Sequence, residues 1–92
     1  MNKAELVGAI ADRTEGQTRV GIEAILNAAI TVILEQVASG GVIRLSRLGV
    51  FDTREASARQ GRNPATGDVI DIPARRLPRF KPAKEFKELV NG

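Results

Sequence analysis

Between residues 22 and 37 the chain places Ile22, Ile25, Leu26, Ala29, Ile30, Ile33, Leu34 and Val37 at i, i+3, i+4, i+7, i+8, i+11, i+12 and i+15. That is the repeat of a helix, and it outweighs the modest helix propensity of isoleucine. The stripe is wide for a two-helix unit. One shorter apolar pattern precedes it, Leu6, Val7, Ile10 and Ala11, and a helix of that size cannot cover it alone. The long helix is therefore expected to pack against a sheet and against a second chain. The small residues Ala24, Ala28 and Ala29 allow close approach. A chain of 92 residues with three Phe and no Trp or Tyr buries only a modest core by itself, so a second copy is expected to complete it.

The other elements follow in order. Asn2 and Glu5 have capping-box spacing ahead of a first helix at about 3–14, closed by Gly16. Thr18 can cap the second helix, and Gly40-Gly41 ends it. Val42 to Ser46 alternates as a strand, with Ile43 and Leu45 on one face. Arg47-Leu48-Gly49 reads as a tight turn. The next strand runs from Val50 to about Ser57, with Phe51 and Thr53 inward and Arg54 on the opposite face. After the stretch Gly61–Gly67, Asp68 to Ile72 alternates back. Pro73 cannot donate to a ladder, so the strand there is an edge or is kinked, and Pro78 again argues against central pairing. Phe80 is expected to re-enter the core. Pro82 suits the first turn of a last helix, with Phe86, Leu89 and Val90 buried and Lys84 and Lys87 exposed.

Gly61-Arg62-Asn63-Pro64-Ala65-Thr66-Gly67 reads as the tip of a β-ribbon, with Pro64 exposed at the bend. No acidic residue occurs from Ala56 to Gly67, nor from Ile72 to Lys84. These stretches hold Arg59, Arg62, Arg75, Arg76, Arg79, Lys81 and Lys84. Residues 1–46 carry four basic against five acidic residues, and residues 47–92 carry ten against six. The net charge of +3 is thus concentrated in the second half, which suggests a polyanionic partner. An ordinary surface hairpin would explain the tip alone, but not the flanking charge. Glu55, Asp68 and Asp71 are read as solubilising residues or salt-bridge partners.

Several function classes drop out. Without Cys there is no disulfide framework and no thiolate zinc site. Without His the commonest general base and metal ligand are missing. The carboxylates show no ligand spacing, so neither an enzyme nor a cofactor is expected. No apolar run reads as approaching the ~20 residues of a membrane span, and the N-terminus lacks a signal-peptide apolar region. The reading is a protein of the compartment where it is made.

Met1-Asn2-Lys3-Ala4-Glu5-Leu6, the tip Gly61–Gly67 and Phe80-Lys81-Pro82-Ala83-Lys84 resemble the signature segments of the bacterial HU/IHF (integration host factor) family. The resemblance runs in order over nearly the whole chain. It implies an α+β fold: a base of two N-terminal helices, a three-stranded antiparallel sheet extended into a β-ribbon arm, and a short C-terminal helix, in an intertwined dimer. The chain would be a single DNA-binding domain, 1–92. Its base would span about 1–41, its sheet about 42–56 and 74–81, its arm about 57–73 and its last helix about 82–91. The resemblance further implies a histone-like, cytoplasmic, nucleoid-associated protein that binds and bends double-stranded DNA through the minor groove with little sequence preference, favouring bent, nicked or flexible DNA. A homodimer is expected, with a heterodimer of related chains as the other option. Alternatives are a site-preferring IHF-like subunit and a scaffold whose dimers coat and compact DNA side by side, with bending incidental. In this frame Arg54, Arg59, Arg62, Arg75, Arg76 and Arg79 meet phosphates or the groove. Lys3, Lys81, Lys84 and Lys87 hold flanking DNA, Asn63 lies against base edges, and Pro64 wedges between base pairs. The family's glycine-aromatic-glycine turn reads Arg47-Leu48-Gly49 here, which adds Arg47 to the DNA-facing set.

Overall fold

The computed structural model describes residues 1–92, in two compact units, Met1–Glu35 and Gln36–Gly92. The first holds α1 (Lys3–Asp12) and most of α2 (Arg19–Ala38). Both N-termini are capped as the sequence suggests: Asn2 Oδ1 accepts from the Glu5 N–H at 2.9 Å, and Thr18 Oγ1 accepts from the Gly21 N–H at 3.0 Å. Helix α1 stops two residues before its expected end, with Arg13 as C-cap.

The apolar face of α2 is only partly covered. Val7, Ile22 and Val37 are the only buried hydrophobic residues of the chain, and no large side chain is fully buried. Ile25 is 66% exposed and Leu34 64%, although both belong to the apolar stripe. Ile10, Ile22, Ile25, Leu26 and Ala29 line an open apolar cavity of about 390 Å³. One protomer has no core of native size, which is the physical case for a second copy.

Helix α2 also corrects an expectation. It is long and apolar enough to cross a membrane, with 20 residues and a mean hydropathy of 1.6 over its most apolar window. Its sequence is nevertheless two-sided: Glu23, Asn27, Thr31 and Glu35 recur every fourth residue and draw a polar line along one flank. Lys3 sits on that line, donating to Asn27 Oδ1 at 3.0 Å and lying 3.7 Å from Glu23.

The second unit contains β1 (Ile43–Leu45), β2 (Gly49–Ala56), β3 (Arg59–Arg62), β4 (Val69–Ile72), β5 (Arg75–Pro82) and α3 (Lys84–Asn91). Strands β1, β2 and β5 form an antiparallel sheet in the order β1-β2-β5. Strands β3 and β4 form a separate two-stranded ribbon. The strand expected to run unbroken into the arm is thus interrupted at residues 57–58, opposite 73–74. Pairing resumes without a slip: Ala56 faces Arg75 and Arg59 faces Ile72, with two residues between on each side.

The interruption has a cause in hydrogen bonding. The Ala83 N–H donates to the Leu48 carbonyl at 2.9 Å, so odd-numbered residues of β5 turn their N–H groups toward β2. Pro78 and Pro82 then face the open edge, where a missing donor costs nothing. Residue 73 would have to donate, and Pro73 cannot. Beyond it the ladder restarts in the opposite phase, as the bond from the Asn63 N–H to the Asp68 carbonyl, 2.8 Å, shows.

Phe51 and Phe80 pair across the sheet with ring centroids 4.8 Å apart, and Phe86 of α3 lies 6.4 Å from Phe80. The cluster is less enclosed than expected, with Phe80 still 39% exposed. Helix α3 begins at Lys84 rather than Pro82, which ends β5. It buries no residue, and Leu89 is 75% exposed. Within one chain only Phe86 of that face is half-buried, against Phe80.

The β1–β2 turn holds the one non-glycine residue at positive φ, Arg47 at 73°. An L side chain is strained there by ~1–2 kcal/mol. Gly49, two residues on at φ 154°, leaves no room for a Cβ against the Lys81 carbonyl and the Phe80 ring. Arg47→Gly should therefore raise stability by about 0.5–1 kcal/mol, after loss of an exposed ion pair and the added flexibility of glycine. Urea melts at fixed chain concentration check this, and an unchanged or lower midpoint contradicts it.

Candidate nucleic-acid interface

Cross-strand pairs share a face of the sheet. The register therefore sorts the side chains. Ile43, Leu45, Phe51, Thr53, Pro78 and Phe80 lie on one face. Arg44, Val50, Asp52, Arg54, Ala56, Arg75, Leu77, Arg79 and Lys81 lie on the other. The first side is apolar and aromatic except at its end toward the arm, where Glu55 faces Arg76. The other gathers five cations, Arg44, Arg54, Arg75, Arg79 and Lys81, with one acid among them. Arg54 lies opposite the Phe51 face, as the alternation predicts. Arg44 is not among the residues singled out by the sequence, although the same alternation puts it here.

Asp52 is the acid at the centre and the only buried charged residue. Arg79 donates to it as a fork, Nε to Oδ1 at 2.8 Å and Nη2 to Oδ2 at 2.9 Å. The Lys81 ammonium lies 3.4 Å from Oδ2. The Arg79 hydrogen bonds hold the Asp52 carboxyl down to about 2, against the opposing effect of burial, and the Arg79 and Lys81 charges add to the lowering. Asp52 stays ionised at any physiological pH. The same contact raises Arg79.

The arm carries its arginines on both faces. Arg59 faces Ile72, and Arg62, three residues on, faces Val69. The tip is ordered by its own polar groups. Asn63 Oδ1 accepts from the Ala65 N–H at 2.9 Å, the Asn63 carbonyl accepts from the Gly67 N–H at 2.7 Å, and Arg62 Nη1 donates to the Gly67 carbonyl at 3.1 Å. Gly67 sits at φ 76°, a conformation glycine adopts without strain. These bonds present Pro64 exposed at the outermost bend.

The remaining sequence-selected residues fall in different settings. Arg75 stands at the root of the arm, opposite Ala56. Arg76 projects to the aromatic face and donates to the Ala38 carbonyl at 3.0 Å, capping the end of α2. Arg47 Nε donates to Glu85 at 3.1 Å while its side chain stays largely exposed. Lys84 lies 3.8 Å from Glu88 one helical turn on, and Lys87 is exposed. Glu55, Asp68 and Asp71 form none of the ion pairs, so the salt-bridge reading of these three is not realised.

A family model described as "Bacterial DNA-binding protein" matches residues 1–91. The DNA-binding protein HU of Nostoc sp. is 44% identical over 90 residues, covering 98% of this chain and 95% of that protein. The DNA-binding protein HU of Clostridium pasteurianum is 45% identical over 91 residues, covering 99% of each. Among solved structures, HU of Anabaena crystallised with DNA matches with a TM-score of 0.91 at 44% identity, covering 98% of this chain and 97% of that one. A mutant of transcription factor 1, solved in solution, matches at 0.67 with 32% identity, covering 99% and 91%. With its helices, three-stranded sheet, ribbon and terminal helix in the same order, the chain belongs to the bacterial HU/IHF family of DNA-binding proteins.

Proposed function

We propose that two copies of this chain grip double-stranded DNA from its minor groove, one arm each, bend it, and so help to compact the nucleoid. DNA as ligand and a dimer as working unit follow from family membership. Minor-groove insertion is the mode general to HU and IHF proteins, and no feature of this chain is needed to derive it. The observation that carries the reading is the tip: an exposed proline on a hydrogen-bonded loop, at the end of a ribbon whose arginines lie on both faces. A strand from Ala56 to Asn63 spans roughly 25 Å at ~3.3 Å per residue, enough to follow a groove around the duplex.

Pro64 would enter a base step at a cost of a few kcal/mol, offset by the phosphate contacts that the bend brings within reach. Asn63 meets a groove with little sequence information, so sequence preference is weak. DNA that is already bent, nicked or flexible lowers the deformation cost and binds better. The open α2 face favours a homodimer, because an identical chain brings the same apolar stripe. The whole of residues 1–92 then acts as a single DNA-binding domain.

Native mass measurement of the chain alone and with a short duplex tests this directly. Two chains alone and two chains per duplex are expected. A monomer that binds DNA as a monomer contradicts the reading. A dense array of dimers on DNA that stays straight would favour the coating scaffold instead.

A further inference from the structure

We infer that Asp52 is a positioning residue for DNA: it holds Arg79 and Lys81 as a preformed phosphate-binding pair on the basic face of the sheet. The inference rests on the DNA-binding reading above. Three observations carry it. Asp52 lies beneath its partners: its side chain is 13% exposed, whereas those of Arg79 and Lys81 are 40% and 56% exposed. The acid is covered and the cations face outward. The fork uses the Nε–H and one Nη2–H of Arg79, and a guanidinium has five such donors. The Nη1 edge remains available to a phosphate while the fork stays closed. Lys81, at 3.4 Å, likewise keeps donors to spare. The group as a whole keeps a net charge of +1.

The benefit of such an arrangement is entropic. Long basic side chains lose rotamer freedom when a phosphate immobilises them, and that loss weakens binding. Arg79 is already held by two bonds to Asp52 across the sheet, so less is lost at the encounter. The opposing expectation is purely electrostatic: an acid on a basic face repels DNA, and its removal should tighten binding.

The two differ in sign. The affinity of Asp52→Asn for a short duplex is compared with that of the parent chain by fluorescence anisotropy, at a temperature where both are fully folded by circular dichroism. Positioning predicts that affinity falls about five- to tenfold although the face gains positive charge. Arg79→Lys, which keeps the charge and loses the fork, should fall comparably. In an Arg79→Ala background Asp52→Asn should cost much less, because its main client is gone. Tighter binding by Asp52→Asn in both backgrounds, with a salt dependence steeper by about one phosphate contact, would overturn the inference. Should Asp52→Asn fail to fold, full affinity in Arg79→Lys would overturn it equally. Failure of the parent chain to bind DNA would instead remove the functional reading on which it rests.

Discussion

Replacing Pro64 with alanine should straighten bound DNA far more than it weakens binding. The proline stands at the outermost bend of the arm, on a loop closed by Asn63, Gly67 and Arg62. Those bonds come from the backbone and from neighbouring side chains, so the substitution leaves the loop intact and removes only the wedge. A wedge of this kind contributes a kink of about 20–90°. Its removal also spares the unstacking cost of a few kcal/mol per step, which partly offsets the weaker wrapping of a straighter duplex around the protein. Energy transfer between dyes at the two ends of a short duplex should drop markedly, while the dissociation constant at matched salt changes by less than about tenfold. An unchanged bend would remove Pro64 from the mechanism.

The second large effect is the response to salt. Lys3, Arg47, Arg79, Lys81 and Lys84 each face an acidic partner within the protomer. On the basic face, the arm and α3, Arg44, Arg54, Arg59, Arg62, Arg75 and Lys87 do not. These six release counterions most fully on meeting phosphates, and a dimer doubles them. At about −0.9 per neutralised phosphate, about twelve such phosphates set a steep limit near a slope of about −11 in log affinity against log salt. With roughly six to ten phosphates neutralised, affinity should fall by about 10³–10⁵ between roughly 50 and 200 mM salt. A fall of less than about tenfold over that range would mean that the basic surface is not the interface.

Much of this architecture is legible in the sequence because it rests on local chemistry. The caps at Asn2 and Thr18, the α2 period and the tip at Asn63-Pro64 each depend on a few adjacent residues. The strand alternation locates Arg54 opposite Phe51. What is not legible depends on partners distant in sequence. The break between sheet and ribbon arises because ladder phase, set by Ala83 against Leu48, would demand a donor from Pro73. Pro73 alone signals an edge or a kink, and the phase is unknowable before the strands are paired. Arg76 reads as one more cation of a basic run, yet it shares its face with Phe80 and reaches the Ala38 carbonyl. Asp52 does not stand out among ten basic residues, because its significance comes from Arg79 directly across the sheet. The apolar residues of α2 and α3 are plain as stripes, and burial is the natural expectation for them. They remain open because the surface that would cover them is not supplied by the same chain.

The absence of cysteine allows the most direct test of where the arms go. A single cysteine introduced at Ala65, beside the intact Pro64, can carry an iron chelate that cleaves nearby DNA. A second variant with the same chelate at Thr31, on the exposed polar line of α2, serves as the contrast. If the arm tips enter the minor groove, the Ala65 conjugate cuts at two clusters of sites per bound dimer, each offset across the strands as minor-groove cleavage requires, and the Thr31 conjugate cuts weakly. Strong cutting from Thr31 with none from Ala65 would place DNA on the helical base and contradict the proposed grip.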